Sequence, residues 1–291
     1  MMSVTIGICA FNEDQNIGRL VDSLLAHKTP GLRIAEIIIV SSGSTDNTDR
    51  IIREYRRKHP PIRLIIEKSR QGKFSAVNKI IGRAVSGIVV LISADTIPQN
   101  NALSNLCLPL KDKHIGVVGA RPMSVKVRNT FLGFAVSLLW NLHHEVSLIR
   151  PKFGEMIAFR NIVGRIPKTA VDEEEIASIV IGKGLKPMYV PSACVFIKGP
   201  GTIRDYILQR RRIYCGHLWL CRNADYRVPT LSNLFLVRLI WPKMMADPGH
   251  LAHYIFAASI EAYSRILGYF DYLSGHNHAV WKIAGTTKNL R

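Results

Sequence analysis

An apolar run from Ile88 to Ile92 ends at Ser93, Ala94 and a single acid, Asp95, in the stretch GIVVLISADTIP. A carboxylate delivered at the end of a buried strand can hold Mg2+ or Mn2+, because these ions use only one or two protein carboxylates when phosphate and water supply the other oxygens. Capping of the turn that follows is the alternative use of the same side chain. A second group of acids, Asp172, Glu173 and Glu174, opens the helical segment VDEEEIASIVIGKG. One acid there could act as general base toward an attacking hydroxyl, although a helix dipole also favours acids in a first turn. Lys73 follows Gly72 at a loop-to-helix start, where backbone N–H groups and an ammonium can meet phosphate oxygens. Further on, Gln209 and three arginines ending at Arg212 offer a guanidinium for leaving-group charge, or a solvated basic face. His217, in YCGH, is a further candidate for metal or diphosphate.

These groups need a frame. The run VTIGIC (4–9) reads as a strand, and Ile17, Leu20, Val21, Leu24 and Leu25 then fall at helical spacing. EIIIV (36–40) is a continuous apolar run suited to a strand covered on both faces. A helix through Ile51, Ile52 and Tyr55 follows the turn SSGSTDNT, then IRLII (62–66), a helix from about Lys73 to Val85, and IVVLIS (88–93). Strands alternating with helices predict a mainly parallel, doubly wound α/β sheet. Ligands bind such sheets beyond the carboxyl ends of the strands. Those ends are 10–13, 41–46, 71–73 and 93–95.

The chain has 39 Lys and Arg against 21 Asp and Glu, a net charge of +18, which implies anionic partners without choosing among them. The five cysteines are scattered and never spaced C-x-x-C, so neither a disulfide framework nor a zinc cluster is expected. A P-loop is excluded, since Glu67 stands at its first glycine position and Phe74 follows Lys73; a G-x-G-x-x-G turn is also missing.

The segments VTIGICAFNEDQNIGRLVDSLL, EIIIVSSGSTDNT, QGKFSAVNKIIGRA, VVLISADTIP, FGEMIAFR, VDEEEIASIVIGKGLKPMYVP and QRRRI occur in the order of the blocks of the family 2 glycosyltransferases, so that residues 3 to 220 resemble that family. The resemblance implies a GT-A fold and inverting transfer from a nucleoside-diphosphate sugar, a UDP-sugar first among them. It implies donor contacts from Ala10, Phe11, Asn12 and Glu13, with Cys9 where a proline is usual. Ser42 would contact the donor through a hydroxyl where the family has an acid, and Lys73 would meet the diphosphate. Ser93, Ala94 and Asp95 occupy the Asp-x-Asp position, leaving Asp95 as the metal ligand. Glu173, eleven residues before Gly184, matches the base position, with Asp172 as the alternate. Gln209 and Arg212 match the Q-x-x-R-W block, whose Trp is replaced by Ile213.

The expected organisation is a GT-A unit over 1–222, with a nucleotide-sugar half to about 113 and an acceptor half over 114–222, followed by an amphipathic helical region over 223–291. That region mixes Leu, Ile, Phe and Trp241 with Arg238, Lys243 and Arg265, a pattern suited to an anionic membrane surface or to helices packed on the catalytic unit. A glycan or polyprenyl-linked acceptor and a peripheral position on the cytoplasmic face of the membrane are expected, with no export signal. Two other classes compete. A basic nucleic-acid binder lacks RNP-type aromatics and zinc-finger spacing, and a sugar nucleotidyltransferase lacks a Gly-rich basic loop after the first strand.

Overall fold

Runs of Ile and Val build the strands, and helices form wherever the apolar positions switch to a period near 3.6. In the computed structural model, which describes residues 1–125 and 129–288, the amino-terminal part gives β1 (Met2–Ala10), α1 (Ile17–Ala26), β2 (Leu32–Ser42), α2 (Thr48–Lys58), β3 (Ile62–Glu67), α3 (Lys73–Ile81) and β4 (Ile88–Ser93). β5 (Ile97–Pro98), α4 (Ala102–Cys107), β6 (Ile115–Ser124), α5 (Phe131–Ile149), β7 (Met156–Arg160), α6 (Asp172–Gly182) and β8 (Lys186–Ile197) follow. The chain continues in α7 (Ile203–Asn223), α8 (Asn233–Ala246) and α9 (Leu251–Leu273).

The eight-stranded sheet has the order β3-β2-β1-β4-β7-β6-β8-β5. β3, β2, β1 and β4 are parallel, whereas β7 is antiparallel to both β4 and β6, and β6 runs parallel to β8. Both faces are covered. Ile37 and Ile39 of β2 point into one apolar cluster with Leu20, Leu24 and Ile52, while Ile38 and Val40 point into another with Val77, Ile80 and Ile176. That is why EIIIV is continuous rather than alternating. Gly7 lets α3 approach β1: a Cβ there would lie 2.4 Å from Cγ2 of Ile80.

The helix expected to reach Val85 ends at Ile81 instead. Gly82, a poor helix former, stands at its C-cap.

The carboxyl-terminal helices return onto α7 and α5. A Cβ at Gly268 of α9 would lie 2.6 Å from the Arg211 carbonyl, so the absence of a side chain sets the closeness of α9 to α7. Glu261 of α9 receives two bonds of 2.9 Å from Arg210 and one of 2.8 Å from Arg265. The segment after α9 runs back toward the sheet, where the Thr286 N–H donates to Asp205. Among the described residues no helix is long and apolar enough to cross a membrane.

Burial opposes the charge of Glu261, but Arg210 and Arg265 outweigh it and hold its carboxyl below the usual range. A depressed carboxylate contributes stability above its ordinary range and loses it as pH falls through its native value. The E261Q variant is therefore expected to lose about 3 kcal/mol at neutral pH, the lower end for breaking a buried pair. Urea titrations should show this gap closing in acid.

Candidate active site

The carboxyl ends of β1, β2 and β4, the start of α3, the first turn of α6 and one face of α7 open onto a single cavity of about 380 Å³. Of the residues singled out from the sequence, Ala10, Phe11, Glu13, Ser42, Lys73, Ser93, Ala94, Asp95, Asp172, Glu173, Gln209, Arg212 and His217 all line it. Asn12 does not. Its backbone is left-handed (φ 53°), its N–H donates to Ser44 and its Oδ1 accepts from the Thr45 N–H at 2.8 Å. The geometry thus gives its amide to the turn after β2 rather than to the cavity.

Each βα turn is fixed by local bonds. The Glu13 N–H donates to Thr48 Oγ1 at 2.7 Å, and its carboxylate takes Asn16 at 2.8 Å and Lys288 at 2.9 Å. Ser42 donates to Glu67, which also binds Ser75 and Lys79, so its hydroxyl is tied into the wall. The Arg70 guanidinium lies 4.3 Å over the ring of Phe11.

Lys73 is neither exposed nor free toward a phosphate. Its ammonium pairs with Glu173 and lies 3.9 Å from Asp172, joining α3 to the first turn of α6. Burial disfavours the Glu173 carboxylate, and the charge and hydrogen bond of Lys73 more than offset it, so its pKa lies below the ordinary value. Asp172 has no such bond; burial pushes its carboxyl up to about 7, and Oδ1 has no partner. Arg212 stacks 4.0 Å from the ring of Trp281, its Nε unpartnered, and burial lowers its pKa.

His217 lines the same cavity as Asp95. Buried at 3% exposure, it is held neutral first by burial and then by the charges of Lys152, Arg210 and Arg265. The neutral imidazole is the form that ligates a metal, and two of the nearby cations, Lys152 and Arg210, are paired with Glu174 and Glu261.

Besides Arg70 and Lys288, two further residues escaped the sequence reading. Trp281, from the segment after α9, stands beside Arg212, and nothing local in the sequence signals a contact with a residue so far away. Glu155 precedes β7, and its carbonyl accepts the Ser93 N–H at 3.0 Å. An acid directly before the apolar run MIAF was its signal, legible only if that strand were known to be antiparallel.

The acids of the cavity divide sharply. Glu13, Asp172, Glu173, Glu174 and Glu261 each have a Lys or Arg within 4 Å, whereas Asp95 and Glu155 have no ion pair among the described residues. Burial raises the Asp95 carboxyl; burial, then the charge of Asp95, brings Glu155 to about 7. Such hard, unneutralised oxygens fit Mg2+ or Mn2+, and the Cys9 thiol, raised by burial, is no competing soft ligand.

The profile of the glycosyl transferase family 2 matches residues 5–156, just over half of the chain. The chain belongs to this family. It is similar to a probable glycosyltransferase, YdaM, of Bacillus subtilis, at 29% identity over 75% of this chain and 56% of that one. It is also similar to the dolichyl-phosphate beta-glucosyltransferase ALG5C of Trichomonas vaginalis, at 30% identity over 40% of this chain and 38% of the relative. The chain therefore spans only 38% to 56% of these curated relatives. In structure it resembles the mannosyltransferase PcManGT of Pyrobaculum calidifontis, described in complex with GDP-Man and Mn2+, with a TM-score of 0.67 at 20% identity over 93% of this chain and 86% of that one. Glucosyl-3-phosphoglycerate synthase of Mycobacterium tuberculosis, described with Mn2+ and UDP-Glc, gives a TM-score of 0.52 at 21% identity, over 76% of this chain and 80% of that one. The fold is GT-A, as the family 2 resemblance implied, with the mostly parallel sheet completed by antiparallel β7 and β5.

In this family 2 chain Lys73 lies against two acids, Glu173 and Asp172. K73M removes the cation that keeps Glu173 ionised, so the carboxyl pKa values of the pair are expected to rise. A raised acid costs stability as pH climbs from its unfolded to its native value. Guanidinium titrations should therefore find K73M more destabilised at pH 8 than at pH 5.

Proposed function

We propose that the protein is an inverting, metal-assisted glycosyltransferase that moves a sugar from a nucleoside-diphosphate sugar, a UDP-sugar first, to a lipid-linked or membrane-proximal glycan. The observation that carries this reading is the convergence of Asp95, the acid pair Asp172 and Glu173, and Arg212 on one cavity at the carboxyl edge of the sheet.

The roles follow from chemistry and position. Phe11, with Arg70 over its ring, offers a surface for the nucleotide base, and Ala10 and Glu13 lie beside it. Asp95 holds the cation, Mg2+ or Mn2+, which when bound neutralises diphosphate charge. Arg212, oriented by Trp281 and buried away from water, stabilises the negative charge that grows on the leaving nucleoside diphosphate. Gln209 lies one turn earlier on the same helix. Inversion needs one base on the acceptor side, opposite the departing diphosphate. Glu173, kept ionised by Lys73, takes the proton of the acceptor hydroxyl as that oxygen attacks the anomeric carbon. Asp172, whose Oδ1 is unpartnered, is the alternate acceptor of that proton.

The acceptor reading rests on the far side of the cavity. There Leu138, Leu139, Leu236 and Ile240 from α5 and α8 continue the wall beyond Lys152 and Arg210. Outside, Leu234, Val237, Trp241, Ile255, Ile266 and Phe270 of α8 and α9 are exposed. Exposed apolar side chains of this kind can enter a lipid interface among the acyl groups. A glycan tethered to lipid at the cytoplasmic face would reach the acid pair from there. The UDP preference and this location are part of the proposal.

E173Q is expected to lower kcat by a factor of about 100 or more, the scale of general-base catalysis, while leaving donor affinity close to that of the parent. If E173Q turns over normally and D172N does not, the proton goes to Asp172. D95A should weaken metal-dependent donor binding in calorimetric titrations. A thermal-shift screen of UDP-, GDP- and dTDP-sugars with Mn2+ identifies the donor, since a ligand that binds only the native state raises Tm; no shift with any of them would sink the reading.

A further inference from the structure

Asp95 is flanked, where the family pattern places another acid, by Ser93. We infer that Glu155 supplies this missing carboxylate from the neighbouring strand and is the second protein ligand of the divalent cation. The inference rests on the reading of Asp95 as a metal ligand.

Backbone geometry carries it first. β7 pairs antiparallel with β4, Ile92 standing opposite Met156, and the next step of the ladder is the bond from the Ser93 N–H to the Glu155 carbonyl. Glu155 is thus the direct cross-strand neighbour of the position that lacks an acid. A carboxylate lost from one strand is replaced by one on the adjacent strand at the same edge of the sheet.

Partnering carries it next. Of the seven acids named above around the cavity, only Asp95 and Glu155 lack a cation within 4 Å among the described residues. Each of the others has a protein cation within 4 Å. Two neighbouring carboxylates, neither with a cation within 4 Å, repel one another, and a hard dication removes that cost. No third His, Cys, Asp or Glu joins them as a closed cage among the described residues. Diphosphate and water would then complete the shell, the arrangement Mg2+ and Mn2+ commonly adopt.

Backbone strain agrees. Glu155 is left-handed at φ 56°, one of three non-glycine residues in that region among those described. It follows Gly154. A side chain larger than hydrogen is disfavoured there, so glycine would suit the backbone better. The glutamate stands there against local preference.

The test uses the full chain and Mn2+ with UDP and, separately, with GDP, reading free Mn2+ by electron paramagnetic resonance so that no turnover is needed. Loss of a partner one shell outside a metal costs 10–100-fold in affinity, so losing a direct ligand in E155Q should weaken Mn2+ binding by about tenfold at the least. The double variant E155Q/S93D, which returns an acid to the vacant position of β4, should recover most of that loss. E155G should melt at a higher temperature than the parent without metal, yet bind Mn2+ as weakly as E155Q. Parent-like Mn2+ affinity in E155Q alongside a loss in D95N would overturn the role of Glu155 and leave Asp95 standing. Parent-like affinity in both variants, or no Mn2+ binding by the parent, would overturn both. A loss in E155Q that S93D does not recover, with a lowered metal-free Tm, would make Glu155 a structural residue instead.

Discussion

The antiparallel seam between β4 and β7 is the constraint from which the site follows. A parallel sheet presents only carboxyl ends at its ligand edge, and those ends are separated by long crossovers. One reversed strand brings an amino end to the same edge. β7 therefore places Glu155 beside Ser93 and attaches the β6–β8 pair, from which α6 and α7 reach over the cavity. Its register is fixed by burial on both sides: Met156 and Ala158 face one core, Ile157 and Phe159 the other. A slip of one residue would exchange the two sets and turn every side chain to the wrong face.

Charge is distributed in opposite senses at two scales. The chain as a whole carries +18, and much of this lies on exposed surface such as the last turn of α2, with Arg56, Arg57 and Lys58. The cavity instead gathers Glu13, Asp95, Glu155, Asp172 and Glu173 around Lys73, Arg212 and Lys288. A positive field at long range draws an anionic ligand toward the protein. At short range it would meet acids, and only local cations make the last few ångströms favourable. This division accounts for the commitment of Lys73 to Glu173: a lysine turned toward the ligand would leave the acid pair unneutralised in a buried setting.

Much of the frame was legible in the sequence, because apolar runs and helical spacing report burial directly. IVVLIS became β4 over the expected residues, and the acids at 172–174 opened a helix as their dipole preference required. The sequence could not show strand direction. MIAF reads the same whether parallel or antiparallel, so nothing marked Glu155 as the neighbour of Ser93. Nor could it show partners distant in the chain. Trp281 reaches Arg212 only through the fold-back after α9, and Asn12 is diverted from the cavity by a turn over thirty residues later. His217 was placed on the correct helix but among cations, since the arginines of α7 and Lys152 converge only in three dimensions.

The fold-back also bears on how the protein comes into being. Lys288 donates to the carbonyls of Phe11 and Asn12 and pairs with Glu13, while a Cβ on Gly72 would strike the Ala279 carbonyl. Part of the wall around the first loop is thus made of residues translated almost three hundred codons after it. A chain emerging from the ribosome can assemble its first four parallel strands early, but the cavity stays unfinished until residue 288 has cleared the exit tunnel.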